Sequence, residues 1–167
     1  MKIVLAPQAF KGSISALDVA SAMSKGVLRV VPEAETVAVP VADGGDGTLE
    51  TLVDGSDGDI RTSQVTGPLG EKIEAHWGAM GDGKTAVVEM ARTSGLALLP
   101  VDGRDPLNAT TYGLGEAIRD AMDAGFRKFI IGIGGSATND GGFGMATALG
   151  WSFLDKDRQP ISSWPDL

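Results

Sequence analysis

"FIIGIGGSATNDGGFG", residues 129–144, decides how the rest of the chain is read. With Lys128 it opens as an apolar, β-branched run that predicts a strand, then turns into glycines, small hydroxyls and an Asn-Asp pair. "GGFGMATALG" beyond it predicts a short helix closed by Gly150. A strand breaking into a donor-rich loop of little bulk, with a helix behind, is where an open α/β sheet holds a ligand.

Working outward, "KIVLA" (2–6), short, apolar and β-branched, predicts a fully buried first strand. Leu17, Ala20, Met23, Val27 and Val30 then recur at helical spacing behind a capping box, "SALD" at 15–18, and Pro32 ends that helix. "ETVAVPV" (35–41) predicts a second strand and "TLETLVD" a short helix. Strand, helix, strand implies a right-handed parallel crossover. "DGSDGDI" (54–60) reads as a linker. "RTSQVTG", "KIEAHWGAM" and "KTAVVEMA" read as three further strands, with "GDG" as a hairpin turn between the last two. A helix from Thr111 carries Leu114, Ile118, Ala121 and Met122 on one face and stops at Gly125, and "WSFLD" (151–155) predicts a last strand. The polar ending "KDRQPISSWPDL" supplies no helix to cover a sheet, so the chain is expected to be the front part of a longer one.

Composition narrows the partners. With 43% hydrophobic residues the 167-residue chain can bury a core, and 24 glycines, about twice the usual share, fall between apolar runs as turns and close approaches. A formal charge of −8 without a basic run argues against nucleic acid or an anionic membrane surface. The absence of cysteine removes disulfides and thiolate metal sites. "MKIVLAP" is too short for a signal peptide or a membrane span, and the cytoplasm is the expected location.

Four loops at strand ends carry the candidate chemistry: "PQAFKGS", "ADGGDGT", "ARTSG" and "GGSATNDGG". In the last, Gly134, Gly135, Ser136, Thr138 and Asn139 offer N–H, hydroxyl and amide groups to phosphate oxygens, and Asp140 a carboxylate for Mg²⁺ or for a hydroxyl proton. Equally, these glycines permit close packing. "GIGGSA" also satisfies the dinucleotide pattern at Gly132, Gly134 and Ala137, with Asp155 at the distance of a ribose-binding acid, which keeps a nicotinamide oxidoreductase open. Asp43 and Asp46, three apart around two glycines, suit a hard cation; the plain alternative makes Asp46 an N-cap and Asp43 a turn former. Lys11 could neutralise a transferring phosphoryl group, and Arg92 is shaped for a carboxylate or phosphate. The single histidine, His76, reads as structural, which leaves nucleophilic and zinc chemistry poorly supported.

"APQAFKGSISALDVA" (6–20), "PVADGGDGTLETLV" (40–53), "VTGPLGEKIEAHWG" (65–78), "VVEMARTSGLALLP" (87–100), "NATTYGLGEAI" (108–118) and "GIGGSATNDGGFGMATALG" (132–150), in this order, resemble the type I glycerate kinase family. The resemblance implies transfer of the ATP γ-phosphoryl group to a hydroxyl of D-glycerate with Mg²⁺, giving 2-phosphoglycerate. It implies an α/β fold of two lobes: a Rossmann- or flavodoxin-like parallel sheet begun by residues 1–57, and an inserted second α/β lobe, 58–167, truncated at its carboxy end. Lys11, Asp43 and Asp140 then become the catalytic candidates and Asp43 and Asp46 the metal ligands. Gly134, Gly135, Ser136, Thr138 and Asn139 fall to the ATP phosphates, and Ser13, Arg92 and Ser94 to glycerate. A non-catalytic fragment, or a homodimer that covers the sheet, stays open. Gln8 and Ala9 depart from the family's "APDSFKGS", which removes an acid from the first loop.

Overall fold

The computed structural model describes residues 1–10 and 12–166. Two sheets form. β1 (Lys2–Leu5) and β2 (Glu35–Ala38) pair in parallel, joined by α1 (Ala16–Val30), which is the predicted crossover unit. Ser15 caps α1, its Oγ accepting the Asp18 N–H at 3.1 Å and donating to the Asp18 carboxylate at 2.7 Å. The apolar face expected on this helix is only partly buried: Ala16, Val19 and Ala20 are covered, whereas Leu17 and Met23 are exposed and Val30 is 83% exposed. Two strands are too narrow a platform to cover a fifteen-residue helix, and for the same reason β1 is not fully buried as its apolar run predicted: Leu5 is covered but Val4 is exposed.

The second sheet has the order β3-β4-β5-β6, from Asp59–Thr66, Lys72–Ala79, Thr85–Glu89 and Lys128–Gly132. The first two pairings are antiparallel and β5–β6 is parallel, across a connection that contains α3 (Met90–Ser94) and α4 (Tyr112–Asp123). Strand alternation divides its faces. Val65, Ala75, Trp77, Ala86 and Val88 pack against Leu114, Ala117, Ile118 and Ala121 of α4 and against Phe126, with Trp77 edge-on to Phe126 at 5.5 Å between centroids. Val87 meets Leu49 and Val53 of α2 (Thr48–Asp54) on the opposite face. Gly78 makes room there, since a Cβ on it would lie 2.8 Å from Leu49 Cδ1.

α4 stops at Gly125 and α5 (Phe143–Ala148) is followed by Gly150, both at positive φ as their stop signals predicted. Two expectations fail. "WSFLD" forms no strand, only an isolated bridge between Leu154 and Pro160, and Trp151 is 71% exposed. With Phe153 stacked on Phe143 at 4.5 Å, the segment is held by ring packing on α5 instead of by a sheet edge. The "ARTSG" stretch is mostly a turn of helix, α3, instead of a loop, because β5 passes into helix at Met90. Residues 54–60 are less free than a linker: Gly58 N–H bonds to the Val53 carbonyl, Asp57 is left-handed, and β3 begins at Asp59.

The β4–β5 turn closes on Asp82, whose exposed carboxylate accepts Thr85 Oγ1–H and the N–H groups of Lys84 and Thr85. These bonds, that from the Thr85 hydroxyl foremost, hold its pKa down to about 2. A depressed carboxyl stabilises the fold above its unfolded value, here 3.8, and loses that contribution as pH falls through the folded one. The urea midpoint of Asp82→Ala should therefore sit below that of the parent at pH 6, and the gap should close as pH falls from about 4 toward 2; a pH-independent gap would refute this.

Candidate functional site

Two of the candidate loops meet backbone to backbone. Gly134 N–H donates to the Gly44 carbonyl at 2.8 Å. A Cβ on Gly132 would lie 2.6 Å from the Gly44 oxygen, and one on Gly134 would lie 2.7 Å from Gly45 Cα. Both readings of this glycine run thus have a physical basis in one place, because the close approach is what lets the loops share a cavity. Gln8, Ala9, Asp43, Gly45, Asp46, Gly134 and Gly135 line that cavity, of about 180 Å³.

Within the acidic loop, Asp43 Oδ1 accepts Gly45 N–H at 2.9 Å, the expected turn former. The residue that caps α2 is Gly47, in the left-handed conformation, one position after Asp46. Gly44 N–H donates to Thr48 Oγ1 at 3.0 Å, which ties the loop to the first turn of the helix. Ala9, Asp46 and Gly47 continue into a second cavity of about 270 Å³ that Ser13 also lines. A third, again about 270 Å³, joins Ala9 and Gly47 to Glu50 and Arg92.

The 133–142 loop divides its groups between two places. Gly134 and Gly135 face the acidic loop, while Ser136, Thr138, Asn139 and Asp140 line a separate cavity of about 540 Å³ with Met90 and Met145 among its walls. Several donors here are already engaged: Gly134 N–H on Gly44, Ala137 N–H on the Ser94 carbonyl, and Thr138 N–H on Ser136 Oγ at 3.0 Å. Asp140 is 4% exposed. Its Oδ2 accepts the Thr111 N–H and hydroxyl at 2.9 and 2.7 Å and the Gly144 N–H at 3.0 Å, and its Oδ1 accepts Gly142 N–H at 3.0 Å. One carboxylate therefore organises the amino ends of both α4 and α5.

Arg92 lies on α3. Its Nε donates to Glu89 Oε2 at 3.0 Å and its second guanidinium nitrogen to Glu50 Oε1. Burial opposes the guanidinium charge, but the bonds to Glu89 and Glu50 outweigh it and raise its pKa above the ordinary arginine value. Ser94 is fully buried, with a hydroxyl that has no hydrogen-bond partner among the described residues, and it is not among the residues lining these cavities. Lys11 lies outside the described residues. His76 is half-buried on β4, its Nε2 3.9 Å from Glu74 Oε1.

Sequence reasoning missed Glu89. It is 0% exposed at the end of β5, and burial raises its carboxyl pKa despite the bonds it accepts from Leu49 N–H and Arg92. A charged residue inside the apolar run "AVVEMA", three before an arginine, was the available signal.

The dinucleotide arrangement does not form. Helix α5 starts at Phe143, well past the glycines, and Asp155 sits in a turn where its carboxylate accepts the N–H groups of Asp157 and Gln159, both at 2.8 Å. For a divalent cation, no cluster of three or more His, Cys, Asp or Glu side chains occurs among the described residues. Two carboxylates along one cavity nonetheless fit Mg²⁺, which is held by one or two carboxylates together with waters and substrate phosphates. No helix among the described residues is long and apolar enough to cross a membrane.

Comparison with known proteins gives a consistent picture. The profile of the glycerate kinase family matches residues 3–166. A glycerate kinase of Bacillus subtilis is 56% identical over 161 residues, 96% of this chain and 42% of that protein. A glycerate 2-kinase of Escherichia coli is 53% identical over 161 residues, with the same two coverages. The crystal structure of a protein described as glycerate kinase 2 from Salmonella typhimurium superposes with a TM-score of 0.84 at 49% identity, covering 98% of this chain and 44% of that one. The chain thus spans less than half the length of the relatives it matches.

Replacing Asp140 by Ala would strand four donors in the interior, and about 3 kcal/mol or more of stability should be lost, read as the shift in chemical-denaturation free energy. A loss below about 1 kcal/mol would show that the carboxylate does not organise the two helix ends.

Proposed function

The chain belongs to the glycerate kinase family, and from that premise we propose that it carries the ATP and glycerate half-sites for transfer of the γ-phosphoryl group to a hydroxyl of D-glycerate, giving 2-phosphoglycerate. The observation that supports this most directly is the cavity that puts two carboxylates, Asp43 and Asp46, opposite the glycine backbone of Gly134 and Gly135. Phosphoryl transfer asks for positioning and charge neutralisation, and this pairing offers both.

In this reading Gly134 and Gly135 approach the phosphates, with Ser136, Thr138 and Asn139 behind them where the larger cavity has room for the nucleoside. Asp43 and Asp46 would hold Mg²⁺, which when bound offsets the charge of the phosphate oxygens. The glycerate hydroxyl attacks the γ-phosphorus as the bond to the β–γ bridging oxygen breaks, and Asp43 takes the hydroxyl proton. Lys11 is assigned to neutralising the transferring group. Ser13 and Arg92 border the two adjoining cavities and are assigned to the glycerate carboxylate, Arg92 with the guanidinium edge left over from its pairs with Glu50 and Glu89. The bonds around Asp140 suit holding the loop more than meeting substrate, and buried Ser94 would support Ala137 through its carbonyl.

The family's two-lobed plan is proposed as well, the separate two- and four-stranded sheets marking the lobes and α2 standing between the acidic loop and the larger sheet.

The chain should transfer phosphate from ATP to D-glycerate in the presence of Mg²⁺, with the product carbon read by phosphorus NMR. Asp43→Ala should slow turnover by about a hundredfold or more with folding intact. A folded sample with neither turnover nor ATP binding would overturn the proposal.

A further inference from the structure

The mechanism proposed above makes no use of Glu89, yet this is the most deeply buried carboxylate described, at 0% exposure. A carboxylate taken out of water is costly unless each oxygen finds a donor. Here both do. Oε2 accepts Arg92 Nε–H at 3.0 Å, and Oε1 accepts the Leu49 N–H at 2.7 Å from a residue forty positions away.

Leu49 is the second residue of α2, and an N–H there has no partner inside its own helix. A nearby side chain usually meets such a group, and Asp46 is the residue placed to do it. The cap instead falls on Gly47, which has no side chain, and Asp46 lines the two cavities. We infer that Glu89 is a positioning residue for the acidic loop: it caps α2 from the end of β5, so that Asp46 lines the cavity instead of closing its own helix.

The route from Glu89 to the loop is continuous. Glu89 holds Leu49, the adjoining Thr48 accepts Gly44 N–H, and the Gly44 carbonyl accepts Gly134 N–H. Arg92 makes the arrangement tolerable, because it balances Glu89 and also grips Glu50, the third residue of the same helix. Two points of the first turn of α2 are therefore fastened to the β5–α3 corner, and the loop that ends in that turn inherits its position. The inference rests on the kinase reading only for the use to which the loop is put.

Two variants and two readouts test it. Glu89→Met keeps the volume and loses both acceptors; Glu89→Gln keeps an acceptor for Leu49 and loses the charge. Amide exchange of Gly44, Thr48 and Leu49 reports the loop, and broadening of the Gly44, Gly45 and Gly134 amides by Mn²⁺ reports the metal site. In Glu89→Met, Leu49 and Thr48 should exchange at least tenfold faster, and the Mn²⁺ midpoint should rise about tenfold, while Leu114 and Ala117 in the core keep their protection. Glu89→Gln should fall between the two, and it carries the test alone if the methionine variant does not fold. Unchanged exchange at Thr48 and Leu49 in a folded variant would overturn the inference, whatever Mn²⁺ does. Faster exchange in a protein whose parent form shows no Mn²⁺ broadening would leave the inference standing and remove the metal reading.

Discussion

The site depends on one close approach, the Gly134 N–H bond to the Gly44 carbonyl, and on the absence of any side chain between them. Gly44 and Gly45 follow β2 of the small sheet, and Gly132 ends β6 of the large one with Gly134 two residues beyond. Nothing bulkier than hydrogen fits on Gly132 or Gly134 without moving the opposite backbone. The contact therefore joins the two sheets at the point where each offers its polar loop, and the cavity with Asp43 and Asp46 is its direct consequence.

Such a junction would be loose if only one hydrogen bond held it. Around it the interior carries charge, an uncommon choice that is stabilising only when the donors converge. Asp140 collects four hydrogen bonds and fixes where α5 begins behind the β6 loop; Glu89 collects two and fixes where α2 begins behind the β2 loop. The two buried carboxylates play corresponding parts from different places, Asp140 from the loop before α5 and Glu89 from the end of β5, each meeting the start of a helix that follows a glycine loop. Asp140 meets α5 through its near neighbours Gly142 and Gly144, whereas Glu89 meets α2 across forty residues, and that difference decides what a reader of the sequence can see.

Local signals were legible. The parallel β1–α1–β2 unit, the Ser15 cap, the "GDG" hairpin and the glycine stops at 125 and 150 each follow from a few neighbouring residues and are realised in the fold. So was the placing of "ADGGDGT" and "GGSATNDGG" as loops behind strands, because glycines and small polar residues there follow apolar runs. What escaped depended on distance. Glu89 resembles any acid until Leu49 is known to lie beside it. α3, of five residues, is too short to show a period, and "WSFLD" has the aromatic and apolar content of a strand but makes only an isolated bridge among the described residues. Leu17, Met23 and Val30 have the spacing of a buried face, yet spacing cannot say how wide a surface lies beneath a helix. Nor could adjacency in the sequence reveal that Ser136 and Thr138 line a different cavity from Gly134 and Gly135.

Ala9 carries the same reasoning one step further. It borders all three cavities around the acidic loop, with Gln8 beside it in the smallest. A methyl group at such a junction contributes neither charge nor a hydrogen bond, and the charged side chains that line these three cavities among the described residues are Asp43, Asp46, Glu50 and Arg92. With no acid at position 8 or 9, the carboxylates that line the smallest cavity, among the described residues, are those of the loop after β2. The placement of that loop by Gly44 on one side and by Glu89 through α2 on the other is then what the chemistry of the site turns on.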